Sequence, residues 1–190
     1  MAEPHTPDPV LLIVAAFSRH DAALARGRTE LEHLFGPVAL AASPYAFTET
    51  DYYEAAMGPG LLKQLLAFRD LVPADALPAV KLQTNALEEK LAAPGHFAEA
   101  RPINLDPGLL TLGKFMLATT KDQGHRIYLR DGIFAEVTLR YQGGVFEPWP
   151  WTYADYRRPE VHEFLQLARS YYRERLKSGR APANDPPPPR

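Results

Sequence analysis

The feature that most constrains the fold is a continuous apolar run from Val10 to Phe17, near the start of the chain. It spans about eight residues, whereas a helix that crosses a membrane needs about 20 apolar residues. No Lys or Arg precedes the run and no small-residue cleavage site follows it, so it does not fit a secretory signal. A short apolar run of this kind is typical of a buried central strand. We therefore expect a cytoplasmic protein built around this strand.

The composition predicts one domain with disordered ends. The chain has 190 residues, of which 46% are hydrophobic, and about 70% of the surface of such a chain is buried on folding. The net charge of -2 gives no indication of a nucleic-acid or membrane partner. The absence of cysteine excludes disulfides, thiolate zinc sites and iron–sulfur clusters. Polar and proline-rich composition predicts disorder over residues 1–8 and 178–190, which leaves a domain at 9–177.

The order of the elements indicates an α+β fold. We predict a helix capped by Ser18 and ended by Gly36-Pro37, and a long C-terminal helix over Pro159–Leu176. The segment Leu61–Val72 fits either a strand or a helix, and Asp106-Pro107-Gly108 predicts the start of a helix over Leu109–Thr119. The remaining predicted elements are strands at Val38–Ala42 and Pro102–Leu105 and a helix from Pro73 to about Leu91. If Leu61–Val72 is a strand, the order of the elements is that of a ferredoxin-like split βαβ core, which antiparallel hairpins would extend.

Two hairpins can be predicted in register. Gly143-Gly144 forms the two-residue turn of the second hairpin, so Gln142 should pair with Val145. In the first hairpin, a three-residue loop after Arg130 would keep all apolar side chains on one face, because a shift of one residue reverses every side chain. The other face would then carry Arg126, Tyr128, Arg130, Glu136, Thr138 and Arg140. This polar face is either a ligand site or a solvated surface.

Motifs along most of the chain are similar to those of a known family. They are Asp51-Tyr-Tyr-Glu54, Met57-Gly58, Lys81-Leu82, Thr84-Asn85, Leu87-Glu88, Asn104-Leu-Asp-Pro-Gly108, Thr120-Lys-Asp122, His125-Arg-Ile-Tyr-Leu129, Ala135-Glu-Val-Thr-Leu139, Pro150-Trp-Thr-Tyr153 and Asp155-Tyr156. From about residue 10 to 175 the chain resembles the bacterial and archaeal family called domain of unknown function 4416. It departs from that family at Leu109 and Ala154, where an aromatic and a proline are common. The resemblance implies no activity, and the GTP-binding label of some members would need a G-x-x-x-x-G-K-[ST] loop that this chain lacks.

The residues that could carry chemistry are concentrated between residues 101 and 156. Asp106 is either an N-cap or part of a helix start that binds an anion through backbone N–H groups. His125 is either a structural residue or a general acid or base, since its pKa lies near neutrality. Asp106, Asp122 and Glu136 could together hold Mg²⁺ with a phosphate ligand, which their spacing neither supports nor rejects.

We therefore predict a pocket for a small anionic ligand that resembles a phosphate or a nucleotide. Its charge would come from Arg101, Lys114, Lys121 and Arg126, and the ligand would be oriented by Asn104, Tyr128 and Glu136. Trp151 and Tyr153 would cover it, and any acid–base reaction would use His125, Asp106 or Glu136. The alternative is a non-catalytic module that binds another protein or forms a homodimer. The sequence identifies no cofactor and no metal site.

Overall fold

The computed structural model describes residues 3–93 and 97–179, in which four α-helices lie around one large sheet. The strands are β1 Leu11–Ser18, β2 Val38–Ala41, β3 Tyr45–Ala46, β4 Leu62–Phe68, β5 Asn104–Leu110, β6 Lys114–Thr119, β7 Ile127–Arg130, β8 Ile133–Gln142 and β9 Val145–Pro148. The helices are α1 Asp21–Phe35, α2 Glu54–Met57, α3 Leu77–Leu91 and α4 Pro159–Gly179, preceded by a 3-10 turn at Ala154–Arg157. Residues 1–2 of the predicted disordered start and 180–190 of the predicted tail lie outside the described residues.

The sheet is antiparallel and confirms the predicted α+β class. Its strand order is β2-β4-β1-β5-β6-β8-β7, with β3 beside β4 and β9 beside β8. The apolar run at the start of the chain forms the central strand β1, as predicted, and all eight of its residues are buried. None of the helices in the described part of the chain is long and apolar enough to cross a bilayer.

Helices cover both faces of the sheet, which explains why β1 is apolar from Leu11 to Phe17. Leu12 and Val14 pack on the side of α1 and α3, whereas Leu11 and Ile13 pack on the side of α4. A strand that is buried on both faces needs no polar alternation. Phe17, at the end of β1, belongs to a smaller cluster with Phe47. This small cluster lies beside the cavity described below.

Three predictions about the type, the cap or the start of a helix are wrong. The predicted helix over Leu109–Thr119 is instead the hairpin of β5 and β6, because a continuous apolar run fits a buried strand as well as a helix. Thr111 forms its turn by accepting the N–H of Lys114 at 3.1 Å. Asp106 therefore lies inside a strand and caps no helix. Ser18 is not the cap of α1, because the helix begins at Asp21 with His20 at the N-cap position. The Ser18 hydroxyl donates to the carbonyl of Pro102 at 2.6 Å and accepts the N–H of His20 at 3.0 Å. The predicted start of α3 at Pro73 is also too early.

The second hairpin has the predicted register. Gln142 pairs with Val145, and both turn glycines have positive φ, +59° and +89°, which suits a two-residue turn. The rings of Tyr141 and Phe146 lie 5.1 Å apart on one face. Local turn chemistry and cross-strand pairs agree here, so the sequence is sufficient to predict the structure.

The predicted register of the first hairpin is wrong, although its main consequence for side-chain direction holds. The turn has two residues, because Arg130 pairs with Ile133, and Leu129 is the extra residue of a β-bulge. The prediction places one extra residue in the loop, whereas the structure has its extra residue in the bulge at Leu129. Tyr128 therefore pairs with Phe134 rather than with Glu136. Arg126 still lies on the side of Glu136 and contacts it directly.

Candidate functional site

The site begins where the sheet opens between β5 and β6. These strands pair only between Gly108–Leu110 and Phe115–Leu117, while the first half of β5 pairs with β1 alone. Pro107 lies in that first half and has no N–H to offer a neighbouring strand. The sheet therefore has a gap near its middle, with strand edges exposed on both sides.

Side chains of α3 fill the gap and satisfy the open edge of β5. The ammonium of Lys81 donates to the carbonyl of Leu105 at 3.0 Å, and the carboxylate of Glu88 accepts the N–H of Leu105 at 2.7 Å. These are the two backbone groups that a neighbouring strand would otherwise bind. Two charged side chains seven residues apart on one helix face thus replace a missing strand.

A chain of polar contacts continues from this edge along β5. Lys81 also donates to Asp106 at 3.1 Å, and the other oxygen of Asp106 accepts the amide N–H of Asn104 at 2.8 Å. Arg101 donates to the side-chain carbonyl of Asn104 and, at 2.7 Å, to the carboxylate of Glu88. The network holds these side chains in fixed positions along one wall of the opening.

The opening is a cavity of about 480 Å³, lined by residues from both faces of the sheet. This volume lies within the usual range of small-molecule sites. Phe17, Lys63, Asn104 and Asp106 line one wall, and Glu136 on β8 lies across the gap. Phe17 pairs with Lys63 on one side and with Asn104 on the other, which places the three side chains in a row across the sheet.

Lys63 is a deeply buried cation of this wall. Its side chain is 4% exposed and forms an ion pair with Asp155, which is 6% exposed. Its ammonium lies 4.4 Å from the ring centre of Tyr156 and 5.2 Å from that of Phe47. Burial of an ammonium is tolerated because a carboxylate and aromatic rings replace its water.

The opposite wall is built around a second buried ion pair. Arg126 donates from Nε to Glu136 at 2.9 Å, and both side chains are 1% exposed. Its terminal nitrogens donate to the carbonyl of Lys121 at 3.0 Å and to the hydroxyl of Tyr153 at 2.6 Å. The ammonium of Lys121 extends to the exposed Tyr52 at 3.1 Å. This wall therefore joins the buried interior to the solvent-exposed mouth.

The charges around the cavity shift the pKa of several groups. Burial alone would raise the pKa of Asp106, but the positive charges of Lys81 and Lys63 outweigh it and lower this pKa. Burial raises the pKa of Glu88 despite the nearby Arg101. Burial, helped by the charge of Glu136, also raises the pKa of Tyr153. At neutral pH the cavity thus presents an ionised Asp106 and a protonated tyrosine hydroxyl.

The structure brings together seven of the residues predicted for the site. The seven that line the cavity are Arg101, Asn104, Asp106, Lys121, Arg126, Glu136 and Tyr153. The four others lie outside the wall. Lys114 is at the far end of β6, where it pairs with Arg140, and Tyr128 is 58% exposed beside Phe134. Both side chains therefore lie outside the cavity.

His125 and Trp151 form a separate stack behind the cavity wall. Their rings lie 5.2 Å apart and nearly parallel, and the indole of Trp149 stacks on Trp151. His125 contacts Glu136 at 3.3 Å, so it touches the wall through that carboxylate. Trp151 donates its indole N–H to the carbonyl of Val137 at 3.1 Å. Of the two residues predicted to cover the ligand, Tyr153 lines the cavity and Trp151 does not.

Several wall residues were missed by the sequence reasoning. Lys63 stands in an apolar strand, and Lys81 lies on the helix face that also carries Leu77 and Val80. A charged residue at a buried position is a signal of an internal ion pair, and it could have identified both lysines. Lys81, Asp155 and Tyr156 enter the sequence analysis only as parts of family motifs.

No group of three or more His, Asp or Glu suited to a metal ion occurs within residues 3–93 and 97–179. Asp106, Asp122 and Glu136 accordingly do not form a Mg²⁺ site by themselves. Asp106 is held by Lys81, and Glu136 is held by Arg126. Asp122 is exposed and does not line the cavity.

Comparison with known proteins agrees with the motifs in the sequence. A family model described as "Domain of unknown function (DUF4416)" matches residues 8–172, which include every cavity residue named above. No curated protein and no solved structure matches the chain. The family description names no activity, ligand or partner.

Proposed function

The chain belongs to the DUF4416 family, and we propose that it binds a small anionic ligand, phosphate-like or nucleotide-like, in the cavity between β5 and β6. The observation that carries this proposal is an excess of unused N–H donors over unused acceptors in the cavity wall. A ligand rich in acceptor oxygens complements such a wall.

The donors can be counted on the two arginines. A guanidinium has five N–H donors, and Arg126 uses three of them, for Glu136, the carbonyl of Lys121 and Tyr153. Two donors of Arg126 remain. Arg101 donates through Nε and one terminal nitrogen, while its other terminal nitrogen has no hydrogen-bond acceptor among the described residues.

Two carboxylates of the wall already accept hydrogen bonds at both oxygens. Both oxygens of Asp106 accept hydrogen bonds, from Lys81 and Asn104. Both oxygens of Glu136 are also contacted, one by Arg126 at 2.9 Å and the other by Thr138 at 3.4 Å. The wall therefore offers a ligand more donors than acceptors, although its cations are mostly paired.

The mouth of the cavity is the place where a phosphate group would bind. Lys121 is exposed there, and within the part of the chain that the structure describes no carboxylate lies within 4.0 Å of its ammonium. Arg126 and Tyr153 line the same wall. A planar guanidinium beside an ammonium is a common combination for holding phosphate.

The arrangement favours binding and leaves any reaction open. Asp106 could act only as an acceptor or base at neutral pH, because its pKa is lowered by Lys81 and Lys63 against the effect of burial. His125 does not line the cavity and reaches it only through Glu136. Acid–base chemistry on a bound phosphate ester would therefore depend on Asp106 or Glu136.

We also infer that β1, α1, β2, β4, α3 and β5 form a ferredoxin-like split βαβ core. Support comes from their strand order, β2-β4-β1-β5, with every neighbour antiparallel. Strand β4 lies between β1 and β2, as the split βαβ unit requires. Strands β6 to β9 then extend the sheet beyond β5.

A homodimer or protein-binding module is a second candidate. Strand β7 lies at one end of the strand order, and all four of its residues are exposed. Ile127 is 70% exposed and Tyr128 is 58% exposed. An exposed apolar edge strand is a common site for pairing with another chain.

Titration calorimetry tests the proposed function, with inorganic phosphate, nucleoside monophosphates and sugar phosphates as probes. The Lys121→Gln variant should weaken the best probe about fivefold, about 1 kcal/mol, since one charge-assisted contact at an exposed site is lost. Lys114→Gln is the matched control, because it neutralises an exposed lysine of the same strand region outside the cavity. Absence of binding by every probe, or equal effects of the two variants, would contradict the proposal.

A further inference from the structure

Two arginines that line the cavity are held in the same way. Arg126 donates from Nε to Glu136 at 2.9 Å, and Arg101 donates from Nε to Glu88 at 3.1 Å. The two carboxylate side chains are 1% and 11% exposed, so each arginine is anchored on its inner side. Because a guanidinium is planar and rigid, an anchor at Nε also fixes the direction of its terminal nitrogens. The cavity thus contains two oriented guanidinium groups.

The two guanidinium groups belong to different walls. Arg101 contacts Asn104 on β5, whereas Arg126 contacts Glu136 on β8. The gap between β5 and β6 separates these walls, and the cavity of about 480 Å³ lies between them. A small molecule in this cavity has one arginine on each side.

The guanidinium of Arg101 is open to the cavity and is not sealed behind its wall. Its side chain is 37% exposed. Nε and one terminal nitrogen donate to Glu88 and Asn104, which leaves the other terminal nitrogen for a ligand. The guanidinium also lies 6.0 Å from the ring centre of Tyr53, another residue of the cavity lining. This end of the cavity therefore offers positive charge and N–H groups to an oxygen anion.

We propose that the cavity binds an organic phosphate with a second anionic group, so that the phosphate lies near Lys121 and Arg126 and the second group lies at Arg101. This inference rests on the proposed function, since it assumes that the cavity takes an anionic ligand. It narrows the ligand class to molecules whose two anionic groups are far enough apart to reach both walls. The second group is a carboxylate or another phosphate, which the test separates.

Two matched pairs of probes test for the second anionic group. In 3-phosphoglycerate a carboxylate replaces the hydroxymethyl group of glycerol 3-phosphate, and fructose 1,6-bisphosphate adds one phosphate to fructose 6-phosphate. In calorimetric titrations, the probe with two anionic groups should bind about tenfold more tightly in at least one pair, a difference of about 1.4 kcal/mol. The pair that shows this preference identifies the second group.

The Arg101→Gln variant tests the position of the second group. It removes one charge of the cavity wall and should reduce the tenfold preference to within about twofold, whereas the probe with one anionic group should still bind within about threefold of the wild type. Arg140→Gln is the matched control, because Arg140 also donates from Nε to a carboxylate, that of Glu147, but lies outside the cavity. This control should keep the full preference.

The Asn85→Asp variant tests the same position without removing an arginine. Asn85 lines the cavity three residues before Glu88, on the same face of α3. Its amide makes no hydrogen bond within residues 3–93 and 97–179, so the exchange breaks none there. The added carboxylate should repel a second anionic group and reduce the preference to within about twofold. If Arg101→Gln does not fold, Asn85→Asp takes its place in the test.

The outcomes separate this inference from the proposed function. The preference is a ratio measured within one variant, so a partial loss of folded protein does not change it. If the wild type binds inorganic phosphate or the singly anionic probes without a preference in either pair, the second site is wrong while the proposed function stands. The same holds if the preference survives in Arg101→Gln or Asn85→Asp, or if Arg140→Gln also abolishes it. If the wild type binds neither these probes nor inorganic phosphate, the proposed function itself is contradicted.

Discussion

Replacing Lys81 by methionine tests how the gap in the sheet is stabilised. The ammonium of Lys81 is the donor for both the Leu105 carbonyl and the Asp106 carboxylate, at 3.0 and 3.1 Å. Its side chain is only 8% exposed. Methionine keeps most of the volume of lysine and removes the charge and all three N–H donors. The variant therefore isolates the polar contribution from the packing contribution.

The expected loss of folding stability depends on the charge of Asp106 that remains without its partner. Breaking a buried ion pair by removing one partner costs about 3–5 kcal/mol, because the remaining charge is uncompensated. The side chain of Asp106 is 29% exposed, so partial solvation should bring the cost to the lower end, about 3 kcal/mol. With a urea m-value of about 2 kcal/mol per molar, the unfolding midpoint should fall by about 1.5 M.

The effect should also depend on pH in a defined direction. The pKa of Asp106 is lowered in the folded protein, where Lys81 and Lys63 overcome the effect of burial. A carboxyl group with a lowered folded pKa stabilises the protein above its unfolded pKa, about 3.9. This stabilisation is lost as the pH falls through the folded pKa. The difference between wild type and Lys81→Met should therefore be largest near neutral pH and shrink below about pH 4.

Urea unfolding followed by circular dichroism provides the assay, at neutral pH and at several values below pH 4. Lys90→Met is the matched control on the same helix, where the lysine is 60% exposed and pairs with Glu30. An exposed pair of this kind contributes less than about 1 kcal/mol. Equal costs for the two variants, or a Lys81→Met cost that does not change with pH, would refute the role assigned to Lys81.

Two further predictions concern close packing and oligomeric state. Gly108→Ala should lower the free energy of unfolding by about 1–3 kcal/mol, since the added Cβ would lie 2.5 Å from the carbonyl oxygen of Met116; Gly113→Ala, with no atom within 4 Å, serves as the control in thermal unfolding. If β7 is a dimer edge, the mass measured by light scattering should fall from dimer to monomer in Ile127→Lys, because a charge blocks strand pairing. A wild-type monomer at high concentration would exclude this dimer.

The two hairpins show how much of the strand register can be predicted from the sequence. At Gly143-Gly144, the turn type and both cross-strand pairs depend on residues close together in the chain, and the predicted register is confirmed. In the preceding hairpin, the bulge at Leu129 has no distinct sequence signature, and the predicted loop length is wrong. Arg126 and Glu136 still lie on one side as predicted, because Tyr128 pairs with Phe134 instead of Glu136, and a shift of two residues does not change which face a side chain occupies.

The candidate site was predicted in part for the same reason. Arg126 directly precedes β7 and Glu136 lies on the neighbouring strand β8, so a local pattern brings them together. Lys63 and Asp155 are 92 residues apart and meet only because β4 lies at the end of the cavity where the 3-10 turn begins. The sequence of neither segment indicates that these two residues lie in contact. The burial of the two charges can be recognised only when the positions of both residues in the folded protein are known.

The sequence by itself determined the elements whose energetics are local: the buried strand at Val10–Phe17, the glycine turn, and the amphipathic helix that starts at Pro159. The tertiary structure alone decided where the sheet opens, because strand separation depends on contacts between distant segments. Pro107 removes one strand donor, and α3 supplies Lys81 and Glu88 to satisfy the edge that remains. That substitution of helix side chains for a strand creates the cavity, and it follows from the packing of α3 against β5.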